Sequence, residues 1–459
     1  MAACSCVGFK LKPLKILFST FGSLGDLHPF LALALEAKAR GHCPIIATSR
    51  RYGRKIEALG IEFRAVAPDL PDEDDFAPLA KRVMNERDGP RFLFQELLAP
   101  TVETQFTDLL LASEDAEVLV THPAALAGPL VARHLKKKWM SSVLAPISLW
   151  SRRDPSVPPT QPHLDPLRVL GPLWGEILVR IGRRVTRSWV LEVERLVRER
   201  NLERVGHPLF EGQFSPFGTL ALFSKHFCPP QRDWPRNTTA TGFCFYDSSG
   251  HKAATEQSEW KAWMESGSPP VVWTLGSSAV HDAGDFYLDG SCLPEVSEFR
   301  TNLALRSLLL TGGLQDNALL IKEDADLVAR RLGFVNADEV PINQRRVLAV
   351  DYAPYSQVFP LASCVVHQGG AGTMAQALRA GVPQIIQPFA HDQGDNAARI
   401  GRLGVGFSFR RNTFKNKYTR TIYSAVEDVL KLQPRARELG ELIRRENGPR
   451  AACETLERL

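Results

Sequence analysis

Ser363-Cys364-Val365-Val366-His367-Gln368-Gly369-Gly370-Ala371-Gly372-Thr373 is followed by a helical segment and then by Pro388-Phe389-Ala390-His391-Asp392-Gln393 and Asn396. The apolar run that opens this stretch reads as a buried parallel strand. Glycines come next, and Thr373 to Arg379 reads as helix. A strand, a glycine turn and a helix N-terminus make a diphosphate site. Glycine lets the backbone approach a ligand, and unpaired N–H groups with the helix dipole favour negative charge there. The same turn serves packing alone in many α/β proteins, so both readings stand at this point.

The following residues separate them. Gly381 to Pro388 reads as the next buried strand, which carries Asp392 and Gln393 to the carboxyl end of the same sheet. Ligands bind at that edge in open α/β sheets. A carboxylate beside an amide offers an acceptor and a donor–acceptor pair, a set suited to a polyhydroxylated ring. Phosphates on one loop and hydroxyls on the next describe a nucleotide sugar.

The first half of the chain reads as α/β too. Leu14 to Ser19 is a strand, Phe21 to Pro29 a glycine turn, Phe30 to Arg40 a helix ended by Gly41, and Cys43 to Thr48 a second strand. Such a βαβ unit implies a parallel sheet. The spacing Gly22-x-x-Gly25 departs from the dinucleotide fingerprint, which makes a nicotinamide cofactor a poor reading. Further strands are expected at Glu117–Thr121, Met140–Leu149 and Leu220–Ser224, the last closing this half. Leu167 to Val205 reads as long arginine-studded helix, either a solvated face or an amphipathic surface for an anionic membrane. The proline-rich segment Pro229 to Pro235 reads as the linker, dividing the chain into domains 1–233 and 234–459. Pro270–Leu275, Arg306–Thr311 and Val347–Val350 are strands of the second half, Gly276-Ser277-Ser278 a turn, and Thr421 to Leu459 amphipathic helices.

Composition sets outer limits. With 459 residues, 44% hydrophobic and 23% charged, the chain has the make-up of a globular protein of more than one domain. A net charge of +5 fits an anionic small substrate or a membrane surface and is too weak for nucleic acid. The eight cysteines are scattered without a CxxC pair, as expected of reduced thiols. No signal peptide is apparent and no apolar run is long enough to span a bilayer, so the expected location is the cytoplasm, with peripheral contact at the inner face of the membrane as an extension.

The central block resembles the donor-binding motif of the nucleotide-sugar glycosyltransferase superfamily with the GT-B fold. It is similar in particular to the bacterial branch that holds rhamnosyltransferases and the glycopeptide and sterol glucosyltransferases. The resemblance implies an α/β protein of two doubly wound Rossmann-like domains facing across a cleft, with the final helix crossing back to the first. It also implies inverting, metal-independent transfer of rhamnose or glucose, from dTDP-rhamnose or UDP-glucose, to a hydroxyl of a small lipophilic acceptor. The nucleotide sugar is a co-substrate; no other cofactor and no obligate protein partner are expected.

Residue by residue, Gly22-Ser23-Leu24-Gly25-Asp26-Leu27-His28-Pro29 resembles the family's acceptor-domain turn, and Asp26 falls where bacterial members carry an aspartate and plant members a catalytic histidine. Asp26 is therefore the expected base, with helix capping as its other reading. His28 could orient Asp26, contact the acceptor or cap the helix; His122, at the end of a strand, could face the cleft or sit satisfied in its turn. On the donor side, Gly276 and Ser277 resemble the loop that meets the diphosphate, and Tyr352-Ala353 the segment that stacks on the nucleobase. His367, Gly369, Gly370, Ala371, Gly372 and Thr373 match the bacterial motif, while Asp392 and Gln393, with Asn396 nearby, match the pair on the sugar hydroxyls.

Two residues depart from the pattern. Gln368 stands where a histidine usually faces the phosphates, and Gln376 where many members use a ribose-binding glutamate. Asp72-Glu73-Asp74 and Asp324-Ala325-Asp326 match a metal-binding Asp-x-Asp only in letters and read as solvated charge. Two rival readings are a nucleotide-sugar epimerase or hydrolase on the same fold, and an inactive glycosyltransferase-like activator of a partner enzyme. The Gln368 departure and the unusual stretch Leu288 to Arg300 lend the second some weight.

Overall fold

The structure, a computed structural model, describes residues 12–409 and 418–459 except 73–74, 160, 205, 248–253, 302–304, 315–316, 318–321, 323–325, 327–334, 337–338 and 342–343. Both Asp-x-Asp matches therefore lie in part outside the described residues.

The short apolar runs form strands covered on both faces: Ile16, Leu17, Phe18, Ile45, Leu119, Val272 and Val365 have no exposed surface. The first sheet contains β1 (Lys15–Ser19), β2 (Cys43–Thr48), β3 (Glu62–Ala65), β4 (Val118–Thr121), β5 (Lys138–Val143), β6 (Thr219–Ala221) and β7 (Thr238–Ala240). The second contains β8 (Val271–Thr274), β9 (Ser307–Leu310), β10 (Val347–Val350), β11 (Cys364–His367), β12 (Gln384–Ile386) and β13 (Gly406–Ser408). Their orders are β3-β2-β1-β4-β5-β6-β7 and β10-β9-β8-β11-β12-β13, with every pairing parallel. Each is a doubly wound sheet whose order reverses at one point, between β1 and β4 in the first and between β8 and β11 in the second.

Helices used below are α1 (Leu24–Ala39), α2 (Gly53–Glu57), α3 (Pro172–Thr186), α4 (Gly276–Ala279), α5 (Ala371–Ala380), α6 (Gln393–Leu403) and α7 (Gly448–Leu456). The structure differs from the sequence reading in four places. β5 ends at Val143, because Pro146 begins a separate 3-10 turn to Leu149. The first sheet continues past Leu220–Ser224 to β7, so the chain leaves that sheet after Ala240, beyond the proline-rich segment. Gly276-Ser277-Ser278 is one turn of helix rather than an open turn. The long helical region is broken into a 3-10 segment Pro162–Leu170, α3, a 3-10 turn at Arg187–Val190 and a helix Leu191–Glu199.

Several contacts tie the halves together, two of them centred on arginine–carboxylate pairs. α7 packs on α1, where Arg40 holds Glu457 through two 2.7 Å hydrogen bonds and His42 lies 3.0 Å from the same carboxylate. Nearer the cleft, buried Arg399 on α6 bonds Asp395 at 2.8 Å and also Asp154 from the first half, while Arg168 holds the other oxygen of Asp154. The backbone N–H of Val157 donates to Asp395 at 3.0 Å. Two guanidiniums thus balance two carboxylates, the condition under which charge can be buried at tolerable cost. Among the described residues no helix is long and apolar enough to cross a membrane.

Candidate active site

Both reversal points open onto a single cleft of about 1970 Å³. Register makes this possible: Ser19 pairs with Thr121, and Thr274 with His367, so the strand ends on either side of each reversal are level.

On the first wall, the chain turns out of β1 through Gly22 into α1. Ser23 caps the helix, and Asp26 answers it in a capping box: the Ser23 N–H donates to Asp26 Oδ2 at 2.8 Å and the Ser23 hydroxyl at 3.2 Å. Gly22 has φ of +135°, and a Cβ there would lie 2.2 Å from Asp26 Oδ2, so glycine is required for the carboxyl to sit as it does. Tyr52 pins the turn by donating to the Gly22 carbonyl at 3.0 Å. Capping uses one carboxylate oxygen and leaves Oδ1 toward the cleft. The Asp26 side chain keeps 35% of its surface open. Burial nonetheless raises its pKa to about 6, against the pull of the Ser23 hydrogen bonds.

His122 follows β4 and faces Asp26, its Nε2 being 3.8 Å from Oδ1. Burial lowers its pKa to about 3, and its Nδ1 accepts the Ala124 N–H at 3.3 Å. The ring is therefore neutral with its proton on Nε2, directed at the Asp26 carboxyl. His28 turns elsewhere: its Nε2 lies 3.1 Å from Lys55 Nζ and its ring meets Tyr246 edge-on, with centroids 5.1 Å apart. Much of the remaining first wall is apolar, with Phe76, Met84, Phe94, Trp150, Trp174 and Trp189 among its lining residues.

The second wall is built from the ends of β8 and β11. Gly370 caps α5 with its backbone, so the amides of Ala371, Gly372 and Thr373 begin the helix at the cleft. Thr274 Oγ1 lies 2.7 Å from the Tyr355 hydroxyl, which also bonds the Thr373 side chain, and this brace joins the two strand ends. Gly276 has φ of +63°, and a Cβ on it would lie 2.4 Å from the Gln368 Nε2. Gln368 thus closes the floor between the two loops, and its Oε1 is buried with no hydrogen-bond partner among the described residues. Ser277, Tyr352, Ala353, Gln376, Asp392 and Gln393 also line the cleft.

Asp392 accepts from Asn396 Nδ2 at 2.7 Å, and its pKa is raised to about 7, chiefly by burial and further by the charge of Asp26 across the cleft. Gln393 uses its Oε1 for the N–H groups of Phe389 at 2.8 Å and Ala390 at 3.2 Å.

Three residues expected to touch the donor do not line the cleft: His367, Gly369 and Asn396. Gln384 pairs with Val365, two residues from His367, so all three side chains share one face of the sheet; His367 bonds Gln384 at 2.9 Å beneath the site. Gly369 is a turn residue of φ +90° whose Cβ would strike Ile386. Asn396, one helical turn from Asp392, donates to it and to the Gly369 carbonyl at 3.0 Å, which makes it a brace. Conversely, sequence reasoning passes over Lys55, Tyr246, Asp247 and Tyr355, all cleft residues. Only Tyr355 carries a signal, three residues past Tyr352 in the same segment. No group of His, Cys, Asp and Glu among the described residues could hold a metal ion.

Residues 323–454 match the family described as erythromycin biosynthesis protein CIII-like, C-terminal domain. The O-mycaminosyltylonolide 6-deoxyallosyltransferase of Streptomyces fradiae is 29% identical over 97% of both chains. A sterol 3-beta-glucosyltransferase of Cryptococcus neoformans is 28% identical over 99% of this chain, which spans only 28% of that enzyme's length. Among solved structures, the spinosyn rhamnosyltransferase superposes with a TM-score of 0.63 at 17% identity, covering 97% of this chain and 100% of that one, and has also been solved with thymidine diphosphate. The relatives by sequence and the neighbours by fold agree with the paired reversal points and the glycine-capped helix between them: the chain has the GT-B fold, and the proteins it resembles in sequence are glycosyltransferases.

Proposed function

We propose that the protein moves a hexosyl group from a nucleoside-diphosphate sugar to a hydroxyl of a small lipophilic acceptor, with inversion and without a metal. The observation that carries this is the meeting of the two reversal points in one cleft, with a carboxylate on one wall and a helix N-terminus without a side-chain cap on the other. Asp26 Oδ1 takes the proton of the acceptor hydroxyl while that oxygen forms its bond to the anomeric carbon. The bond from that carbon to the diphosphate oxygen breaks on the opposite side, and the nucleoside diphosphate leaves with the electron pair. The N–H groups of α5 and the hydroxyls of Ser277 and Thr373 receive the departing charge. Asp392 and the free N–H bonds of Gln393 meet sugar hydroxyls, and Tyr352 stacks on the base.

The apolar first wall supports a macrolide- or sterol-like acceptor, the kind named for two relatives. Thymidine diphosphate in the spinosyn enzyme favours a dTDP sugar over a UDP sugar. Calorimetric titration with dTDP, UDP, dTDP-rhamnose and UDP-glucose, with and without EDTA, tests the donor half. EDTA-insensitive binding of one series is expected, followed by product formation in a mass-spectrometric acceptor screen. Absence of binding by all four would sink the reading and leave the activator role.

A peripheral contact with anionic membrane is supported by α3. Leu173, Ile177, Ile181 and Val185 form an exposed i, i+4 ridge, with Arg180, Arg184 and Arg187 also exposed. Ile181 and Val185 also line the cleft, so the ridge adjoins the acceptor's entrance. Sedimentation with phosphatidylglycerol vesicles, lost in Ile181→Ser and with neutral vesicles, is the expected result; equal recovery from both would refute it.

A further inference from the structure

Among the described residues, the cleft is lined by two lysine or arginine side chains, Arg51 and Lys55. Arg51 is engaged: its guanidinium donates to the Pro71 carbonyl at 3.0 Å and lies over the Phe76 ring, 4.4 Å from the centroid. Lys55 has no carboxylate within ion-pair distance among the described residues. Its ammonium meets His28 Nε2 at 3.1 Å and stands 5.8 Å from the centroid of the Tyr246 ring. Burial, and then the charge of Lys55, lowers the His28 pKa to about 3, so the imidazole is neutral and can only accept there. Burial likewise pulls the Lys55 ammonium below its ordinary range. A half-buried cation held by a neutral ring and an aromatic face is a charge waiting for an anion.

Its position says which anion. α1, which carries His28, packs against both α4 and α5, the two helices whose starts form the second wall of the cleft. Tyr246 precedes Asp247, whose carboxylate accepts from Gln376 Nε2 on α5 at 2.9 Å and lies 3.7 Å from Arg379. A chain of neighbours thus runs from Lys55 through Tyr246 and Asp247 to α5 of the second wall. Among the described residues that wall is lined by no lysine or arginine; the groups at its helix starts include backbone amides, the Thr274, Ser277 and Thr373 hydroxyls and the Gln368 amide. A leaving diphosphate gains charge as its bond to the sugar breaks, and hydroxyls alone hold such charge less well than an ammonium does.

We propose that Lys55 reaches across the cleft to bind the diphosphate of the nucleotide sugar, and that His28 is the positioning residue that holds it ready. This rests on the donor reading above. The Lys55 ammonium exchanges His28 for phosphate oxygens when the nucleotide enters. It thereby couples donor binding to the first wall, where the acceptor lies, and supplies from one domain the positive charge that Gln368 does not supply from the other.

The test is calorimetric titration of the full chain, as wild type, Lys55→Met and Lys55→Arg, with thymidine, thymidine diphosphate, uridine and uridine diphosphate. Methionine fills the same volume in a half-buried site, and near-ultraviolet circular dichroism checks that the fold is kept. Lys55→Met is expected to weaken the preferred diphosphate roughly 10- to 100-fold while leaving its nucleoside unchanged. Lys55→Arg should restore most of the loss, and the salt dependence of diphosphate binding should be shallower in Lys55→Met. Diphosphate affinity equal to wild type in Lys55→Met would overturn the proposal with the donor reading intact. So would a loss confined to the acceptor KM, which would assign Lys55 to an anionic acceptor. No diphosphate binding by wild type would overturn the donor reading itself, and this proposal with it.

Discussion

The two walls of the cleft are made in different ways. The second wall is short in sequence and close to the backbone: Thr274 to Ser278, Gln368 to Thr373 and Asp392-Gln393 each present a few adjacent groups at a strand end. The first wall has one such point, Gly22 to Asp26. The rest of its surface comes from Phe76, Met84, Phe94, Trp150 and Trp174, which are scattered over some hundred residues. A diphosphate is the same in every donor, so a fixed cradle of amides suits it. An apolar acceptor is recognised by shape, and shape is assembled from whatever side chains the loops bring in. Fixed chemistry is written locally and variable chemistry is written at a distance.

Breaking the contrast at its strongest point means removing the carboxylate of the first wall. Asp26→Asn is expected to lower kcat by roughly 10²- to 10⁴-fold while donor affinity stays at wild type. Parallel turnover and calorimetry check this, and loss of both together would mean that the walls are not separable. The mirror experiment is Gly276→Ala, whose methyl would lie 2.4 Å from Gln368 Nε2 at a φ of +63°. It should cost donor affinity by about tenfold or more and leave acceptor binding alone.

The pH profile sharpens the assignment. Asp26 must be ionised to act and its pKa is raised to about 6, so kcat/KM should fall as pH drops through 6 and level off above it. A profile flat from pH 5 to 8 would exclude Asp26 as the base. Trp174→Ala should act on the acceptor alone, raising its KM several-fold with donor KM unchanged. The smallest change is expected from His122→Gln, which removes the Nε2–H directed at Asp26 from 3.8 Å: a few-fold loss in kcat and an upward shift of the profile, since an N–H dipole pointed at the carboxylate favours its ionised form.

Most of the second wall can be read from the chain because its logic is linear: strand, glycines, helix start. The errors within it come from counting neighbours in sequence as neighbours in space. His367 and Gln368 are adjacent, but strand alternation sends one beneath the sheet to Gln384 and the other to the cleft floor. Asn396 sits a turn beyond Asp392 and so reaches back to it instead of out to a sugar. β7 escapes a reading of the sequence because three residues, Thr238–Ala240, after a proline-rich run give no periodicity to detect. On the first wall Asp26 is legible as part of the turn, and its capping contact leaves the reading as a base open, since one oxygen caps α1 and the other stands 3.8 Å from His122. Lys55 and Tyr246 are not legible at all. They meet through folding across 191 residues of chain, with no motif in either neighbourhood.

The buried pairing of Asp154 and Asp395 through Arg399 bears on how such a protein can be recombined. The segment that carries Asp154, and whose Val157 amide donates to Asp395, lines the first wall, yet of the two arginines on Asp154 only Arg168 belongs to the same half, and Arg399 stands on the opposite one. Cutting the chain between the sheets and joining the first part to a foreign second part would leave Asp154 with one of its two arginines unless the graft brings its own arginine at the place of Arg399. Breaking such a pair on one side costs about 3–5 kcal/mol, a large share of what holds a domain together. Hybrids assembled to mix acceptors with donors should therefore be chosen by whether this seam matches, before any thought is given to the substrates.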